Sequence, residues 1–367
     1  MSQRALLRQI DYGYLALLVL LSALGLAVLW SASHGPGGNV AGYGLRQLRW
    51  MVLGAAALAG ALAVDYRHWQ THAVAIYLLH LALLALVLVV GKTSMGAQRW
   101  LPLGPFHLQP SELTKIAAAI VTAHLLSREP TPPPYGLRQL WAPVAVLVLP
   151  AGLVLLQPDL GTAALIVGVG GTIVLFQGVR RRLLLGASAL VVGAAPVAWG
   201  LLHDYQRQRI LTFLDPERDP LGAGYHIIQS KIAVGSGQLI GKGYLGGTQV
   251  HLQFLPERHT DFIFSVLAEE WGFVGAAGVL ALYGLLILWG LDIAAKARDP
   301  FGRLLAVGLT SILFFHVTVN VGMVTGLLPV VGVPLPLFSY GGSSVVTTYV
   351  VAGLLLNIRM RRFSRTL

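Results

Sequence analysis

The chain reads as an all-α, polytopic membrane protein with ten transmembrane helices and a large extracytoplasmic loop between the seventh and eighth. Three features predict this. The 367 residues are 55% hydrophobic and only 11% charged, with a mean hydropathy of +0.70. Apolar runs of the roughly 20 residues that cross a bilayer recur along the chain. Basic residues gather in short clusters between those runs. The net charge of +11 therefore suits anionic lipid headgroups better than nucleic acid. With no cysteine, a disulfide framework and a thiolate metal site are both excluded.

The runs predict helices at 12–33, 47–64, 73–91, 112–127, 141–157, 161–178, 183–202, 263–293, 303–326 and 343–358. Arg4, Arg8 and the "SAS" at 31–33 imitate a signal peptide, but the first run is too long for its apolar region and reads as an uncleaved helix. An even number of spans puts both ends on one side. With the N-terminus cytoplasmic, fifteen basic residues flank the helices inside, Arg180, Arg181 and Arg182 among them, against Arg46, Arg49, Lys92 and Arg99 outside. That excess places both termini in the cytoplasm. Residues 1–367 then form a single integral membrane domain, and 203–262 its extracytoplasmic loop. Within the loop, "YHIIQSKIAVGSG" has the apolar spacing of an amphipathic helix and suits a piece lying on the membrane surface. "TPPPYG" at 131–136 is a cytoplasmic turn without chemistry.

Ionisable residues at membrane depth are costly and mark functional sites by default. Asp261 stands where the long loop meets the eighth helix, with Ser265 and Glu269 one and two turns on. A helix cap accounts for an Asp there, whereas a carboxylate stripe entering the bilayer suggests a water-lined cavity. Glu112 and Lys115 sit at i, i+3 on the fourth helix, behind Ser111 as N-cap; a structural ion pair and a cavity lining both fit. Asp159, after Pro158, reads as a cap of the sixth helix. Prolines 329, 334 and 336 and glycines 326, 332, 341 and 342 interrupt an apolar run, which requires a lining or re-entrant loop. Gly272, Gly275 and Gly278 offer close helix approach. Neither an H-E-x-x-H zinc motif nor a phosphate-binding G-x-x-x-x-G-K-[ST] occurs.

In order, "RWLPLGPFHLQPSELTK", "QPDLGTA", "GSGQLIGKG", "GTQVHLQFLPERHTDFIFSVLAEEWGF" and "GLLPVVGVPLPLFSYGGSS" resemble the motif set of the SEDS family (shape, elongation, division and sporulation) over essentially the whole chain. The "LPERHTDFIF" wording is most similar to the elongation members. One departure is Gln238, where the family pattern has a fourth-position glycine in "GSGG". The resemblance implies a peptidoglycan glycosyltransferase that polymerises lipid II at the outer face of the cytoplasmic membrane, with the essential aspartate at Asp261. Part of its active site would lie on 203–262. In that reaction a base takes the proton of the attacking sugar hydroxyl, and cations offset charge on the departing diphosphate. Arg258, Lys242 and Lys231 are the candidates, with Glu112, Lys115 and Ser343 as further substrate-binding residues. A divalent cation, Mg or Mn, could assist, although the sequence identifies no protein site for one. The partners implied are the nascent glycan strand and a class B penicillin-binding transpeptidase. A lipid II flippase, a scaffold and the division member of the same family are the alternatives.

Overall fold

The computed structural model describes residues 9–34, 40–94, 97–104, 106–201, 204–219, 222–248 and 257–362. Arg4, Arg8, Arg365 and the motif residues 249–256 lie outside them. Each of the ten expected segments is helical: Tyr12–Ser33 (α1), Val40–Ala63 (α2), Ala73–Val90 (α4), Pro110–Ser127 (α5), Leu137–Leu156 (α6), Leu160–Gln177 (α7), Arg181–Leu201 (α8), Ile263–Ala295 (α11), Pro300–Thr325 (α12) and Gly342–Met360 (α13). Among the described residues, seven of these (α1, α4, α6, α7, α11, α12 and α13) are long and apolar enough to cross a membrane. Tyr66–Thr71 (α3), Asp204–Leu214 (α9) and Ala223–Ser236 (α10) are shorter helices between them.

The architecture departs from the purely helical expectation between α4 and α5. Lys92–Ser94 (β1), Ala97–Leu103 (β2) and Phe106–Leu108 (β3) form an antiparallel meander, in register at Lys92 with Trp100 and Leu101 with Leu108. The strands are too short for a period-2 pattern to stand out beside such apolar helices. Gly104 takes φ +62 between β2 and β3, a conformation glycine adopts without steric cost. Arg99 on β2 ties the meander to the turn before α7, bonding the carbonyls of Gln157 and Pro158 and pairing with Asp159 at 3.5 Å.

Helices that are apolar all round carry no sequence signal for which face meets lipid, and small residues decide where backbones meet. A Cβ on Gly353 of α13 would lie 2.9 Å from both Ala61 Cβ and Leu58 O of α2, so this pair packs closely. α12 and α13 form the centre: 72% and 83% of their spanning windows are buried, against 22% for α4. At one end of the bundle Asn357 donates to the carbonyls of Ala61, Leu62 and Val64. Ala61 and Leu62 are among the last acceptors of α2, which have no partner inside their own helix, and Val64 follows it directly. Arg359 bridges Asp11 and Asp292 beside it.

α11 is 33 residues long, but Gly272 interrupts it with φ +64 and ψ −166. Within the bundle the glycines at 272, 275 and 278 therefore do not act as one packing stripe. Gly272 is a break, Gly275 abuts its own helix at Trp271, and Gly278 faces open space. The "GSGQLIGKG" segment repairs the break. Lys242 and Gly243 N–H donate to the carbonyls of Glu269 and Glu270 at 3.0 and 2.9 Å, while Phe273 and Val274 N–H donate to Gln238 and Leu239 at 2.8 and 3.0 Å. Four backbone groups freed by the break are thus satisfied by one loop, as a low-dielectric setting demands. Gln238 sits at φ +48, so the family's glycine at this position is the residue its backbone favours. We expect Gly272→Ala to lower the melting temperature, because its Cβ would fall 2.3 Å from the Gly241 nitrogen and this glycine-only backbone conformation costs about 1 to 3 kcal/mol for a residue with a Cβ. Gln238→Gly should leave that temperature unchanged or raise it.

The loop helix α10 is a correction to the surface-lying reading. Ser230 bonds Ser265 Oγ at 2.9 Å and donates to Val324 O at 2.7 Å, and Ile227 and Ala233 are buried. α10 packs onto α11 and α12 and belongs to the bundle.

Candidate active site

Asp261 lies outside the helix proper. The N-cap of α11 is Phe262, and Asp261 belongs to the turn 257–262, closed by Thr260 N–H and Phe262 N–H donating to Glu257 O. Capping thus does not account for this carboxylate. Nor does it form a stripe with Ser265 and Glu269, because Ser265 bonds Ser230 and Glu269 is taken by Lys242 at 2.6 Å.

Three consecutive carbonyls of the turn are held by the segment after α12 and by α12 itself. His259 O accepts Tyr340 N–H at 2.7 Å, Thr260 O accepts Ser339 O–H at 2.5 Å, and Asp261 O accepts the Asn320 amide at 2.9 Å. Ser339 Oγ also receives Leu335 N–H at 2.8 Å. The side chain of Asp261 lies over Gly332, where a Cβ would be 3.5 Å from Oδ2 and φ is +73. Glycine keeps that wall thin, and the interrupted "GLLPVVGVPLPLFSYGG" is the lining loop its prolines and glycines predict. A half-buried carboxylate on a turn with fixed carbonyls is pre-organised to accept a proton.

The predicted cations separate in space. Arg258 is buried, and its Nε donates to Ala32 O near the C-terminus of α1 at 3.0 Å, a favourable end for a cation. It anchors the Asp261 turn to α1. Lys242 is neutralised by Glu269, with Thr248 bridging both at 2.8 and 3.0 Å. Lys231 is exposed on α10 with its stem against Gly326. His259 stacks on Tyr43 at 4.5 Å, and Tyr340 meets Tyr43 edge-on at 5.0 Å. Burial, together with the Arg258 charge beside it, pulls the His259 pKa down to about 4, so this ring is neutral at pH 7 and contributes no positive charge. Arg258→Ala should sharply reduce the activity of the purified protein, and Arg258→Lys should restore only part, because an ammonium lacks the planar fork of a guanidinium.

Glu112 and Lys115 pair as expected, at 2.8 Å, both buried on α5. Ser111 is not the N-cap: Gln109 holds that position and Pro110 opens the helix. Ser343, in the first turn of α13, accepts Gln109 N–H at 3.0 Å and so fixes where α5 starts. Asp159 is the cap expected, accepting Thr162 N–H at 3.1 Å. Sequence reasoning missed His316 and Asn320 on α12. Lys115 Nζ lies 2.5 Å from His316 Nε2, and Asn320 reaches the Asp261 turn. Their signal was two polar residues at i, i+4 in an apolar helix, which marks one face.

Glu270, two residues before Gly272, accepts Ser31 O–H at 2.5 Å and lines an open cavity of about 390 Å³ together with Ile240, Tyr244, Trp271, Val274 and Gly275. Among the described residues no cluster of three or more His, Asp or Glu is arranged to hold a metal ion. Of the acidic groups next to the break, Glu269 is engaged by Lys242 and Glu270 by Ser31.

The sequence model of the FtsW/RodA/SpoVE family, described as a cell cycle protein, matches residues 12–364. Peptidoglycan glycosyltransferase MrdB of Escherichia coli K12 is 48% identical over 355 residues, covering 96% of this chain and 94% of the relative. A solved structure described as the structural coordination of polymerization and crosslinking by a peptidoglycan synthase complex superposes with TM-score 0.83 at 36% identity, covering 97% and 99% of the two chains. The rod shape determining protein RodA of Thermus thermophilus superposes with TM-score 0.72 at 32% identity, covering 97% and 98%.

Proposed function

The chain belongs to the FtsW/RodA/SpoVE family of cell cycle proteins and is a multi-pass membrane peptidoglycan glycosyltransferase, and we propose that it polymerises lipid II at the outer face of the cytoplasmic membrane, with Asp261 as general base. Ten spans with both termini in the cytoplasm are supported by the helical state of the ten segments and by the excess of basic residues on one side. In this arrangement 203–262 is extracytoplasmic and Asp261 meets its substrate at the outer surface. The likeness to a RodA structure favours a role in elongation and rod shape over division.

The supporting observation is the turn 257–262. Its three fixed carbonyls leave the Asp261 carboxylate as the group held in a defined place against a glycine wall. Asp261 accepts the proton of the GlcNAc 4-hydroxyl as its oxygen attacks the anomeric carbon of the donor disaccharide, and undecaprenyl diphosphate leaves. A single displacement of this kind inverts that carbon. Arg258, three residues before Asp261, keeps the turn seated on α1 and sets positive charge near the reaction.

Glycan strands alone are not a wall, so a class B penicillin-binding transpeptidase is the partner, in keeping with the likeness to a complex in which polymerisation and crosslinking are coordinated. The test is purified protein with lipid II, with and without that transpeptidase, and glycan chains resolved by length. Elongating chains are expected. Lipid II that is moved across vesicles or merely bound, without extension, would make the chain a flippase or a scaffold instead.

A further inference from the structure

The side chains of α12 carry an arrangement that the base alone does not explain. His316 and Asn320 lie one turn apart on a predominantly apolar helix, and they address consecutive carbonyls of the lining loop. His316 Nδ1 is 3.1 Å from Pro334 O, and Asn320 Nδ2 donates to Val333 O at 2.8 Å. A carbonyl can only accept, so Nδ1 carries the hydrogen. Nε2 is then the acceptor that faces Lys115 Nζ at 2.5 Å. Lys115 in turn donates to Glu112. The second amide hydrogen of Asn320 reaches Asp261 O at 2.9 Å.

Asn320 is fully buried, and its Oδ1 has no hydrogen-bond partner among the described residues. Leaving a buried acceptor unmade is costly, and turning the amide over would set that oxygen against two carbonyls. The residue is therefore held for its two donors, one to the loop and one to the Asp261 turn. Because Gly332 of the same loop is the wall against Oδ2 of Asp261, any shift of Val333 and Pro334 moves both the wall and the turn.

We propose that Asn320 and His316 are positioning residues, through which the buried Glu112–Lys115 pair fixes the lining loop and the Asp261 turn relative to each other. The pair then acts on catalysis from a distance, by holding a peptide segment in place, without touching substrate. This rests on the reading of Asp261 as base, and the test separates the two.

Asn320→Leu removes both donors at similar volume, whereas Asn320→Gln keeps them and displaces them by one methylene. Steady-state polymerisation of lipid II should show kcat lowered about a hundredfold in Asn320→Leu, the scale of a 1 Å misplacement, with KM within about twofold, the signature of a loss confined to the transition state. Asn320→Gln should recover the melting temperature but not the rate. A side chain that only stabilises the fold would recover both together, and that outcome overturns the proposal. So does a loss that falls in KM, or a kcat that tracks the fraction of folded protein.

His316→Gln, which keeps an acceptor for Lys115 but not the donor for Pro334, supplies a second route should Asn320→Leu fold poorly. It should lower kcat with KM unchanged, and combining it with Asn320→Gln should cost less than the product of the two single effects, because both hold one segment. Independent, multiplicative effects overturn the linkage. Asp261→Asn is run alongside. An inactive Asp261→Asn beside fully active Asn320→Leu and His316→Gln defeats the positioning role alone, and an active Asp261→Asn defeats the base and this inference together.

Discussion

Asp261→Asn is expected to abolish glycan polymerisation from lipid II while leaving the protein folded and inserted. The amide is nearly isosteric with the carboxylate but cannot take a proton at neutral pH, and losing a general base typically costs about 10² to 10⁴ in rate. Folding should survive because the backbone of the turn keeps its bonds. His259 O, Thr260 O and Asp261 O retain Tyr340, Ser339 and Asn320 whatever the side chain at 261. Glycan chain yield, read together with the melting temperature of the same preparation, checks both halves. Near-normal yield would leave the carboxylate no part in proton transfer, and a lowered melting temperature would make it structural.

The bundle itself was legible in the sequence because its helices are fixed by solvent before they are fixed by packing. Apolar runs of spanning length have one outcome in lipid, and each of the ten expected segments is helical, seven of them long and apolar enough to cross a membrane among the described residues. Break points were legible only as composition. "GSGQLIGKG" advertised tight turns, yet nothing in it said that its backbone would substitute for the bonds missing at Gly272, since the two segments are some thirty residues apart and meet only in the fold. For the same reason Lys242 looked available for a diphosphate. A basic residue in a polar loop is indistinguishable in sequence from one committed to a buried partner, and Glu269 was assigned to a different stripe.

Asp261 was legible as a costly carboxylate at a membrane boundary. Its support was not, because Asn320 and His316 act through backbone carbonyls, and a carbonyl carries no residue identity to read. Glu112 and Lys115 were legible as a pair from their i, i+3 spacing, whereas their third member sits two hundred residues away on α12. That third member determines how the pair should respond to substitution.

Lys115→Met is expected to be the most damaging single change in the pair, Glu112→Gln the milder one, and the double variant less damaging than their combined effects. Removing one partner of a buried ion pair costs about 3 to 5 kcal/mol, because the other charge is stranded. The two strandings differ here. Without Lys115, the Glu112 carboxylate is left where its Oε2 already lacks a hydrogen-bond partner among the described residues, and His316 loses the ammonium that faces Nε2. Without the Glu112 charge, Lys115 keeps His316 as an acceptor at 2.5 Å, so its ammonium is still partly satisfied. In Glu112→Gln with Lys115→Met no net charge remains buried, and the penalty of stranding disappears even though the pair is gone. Melting temperature should therefore fall furthest in Lys115→Met and recover in the double variant, a coupling that a double-mutant cycle reads directly. Polymerisation should follow a different order. Both variants that lack Lys115 should stay slow, because the double change restores charge balance but not the contact to His316 that bears on Pro334. Recovery of stability without recovery of rate would separate the pair's electrostatic role from its mechanical one, and strictly additive losses in both would mean that the two residues do not act together.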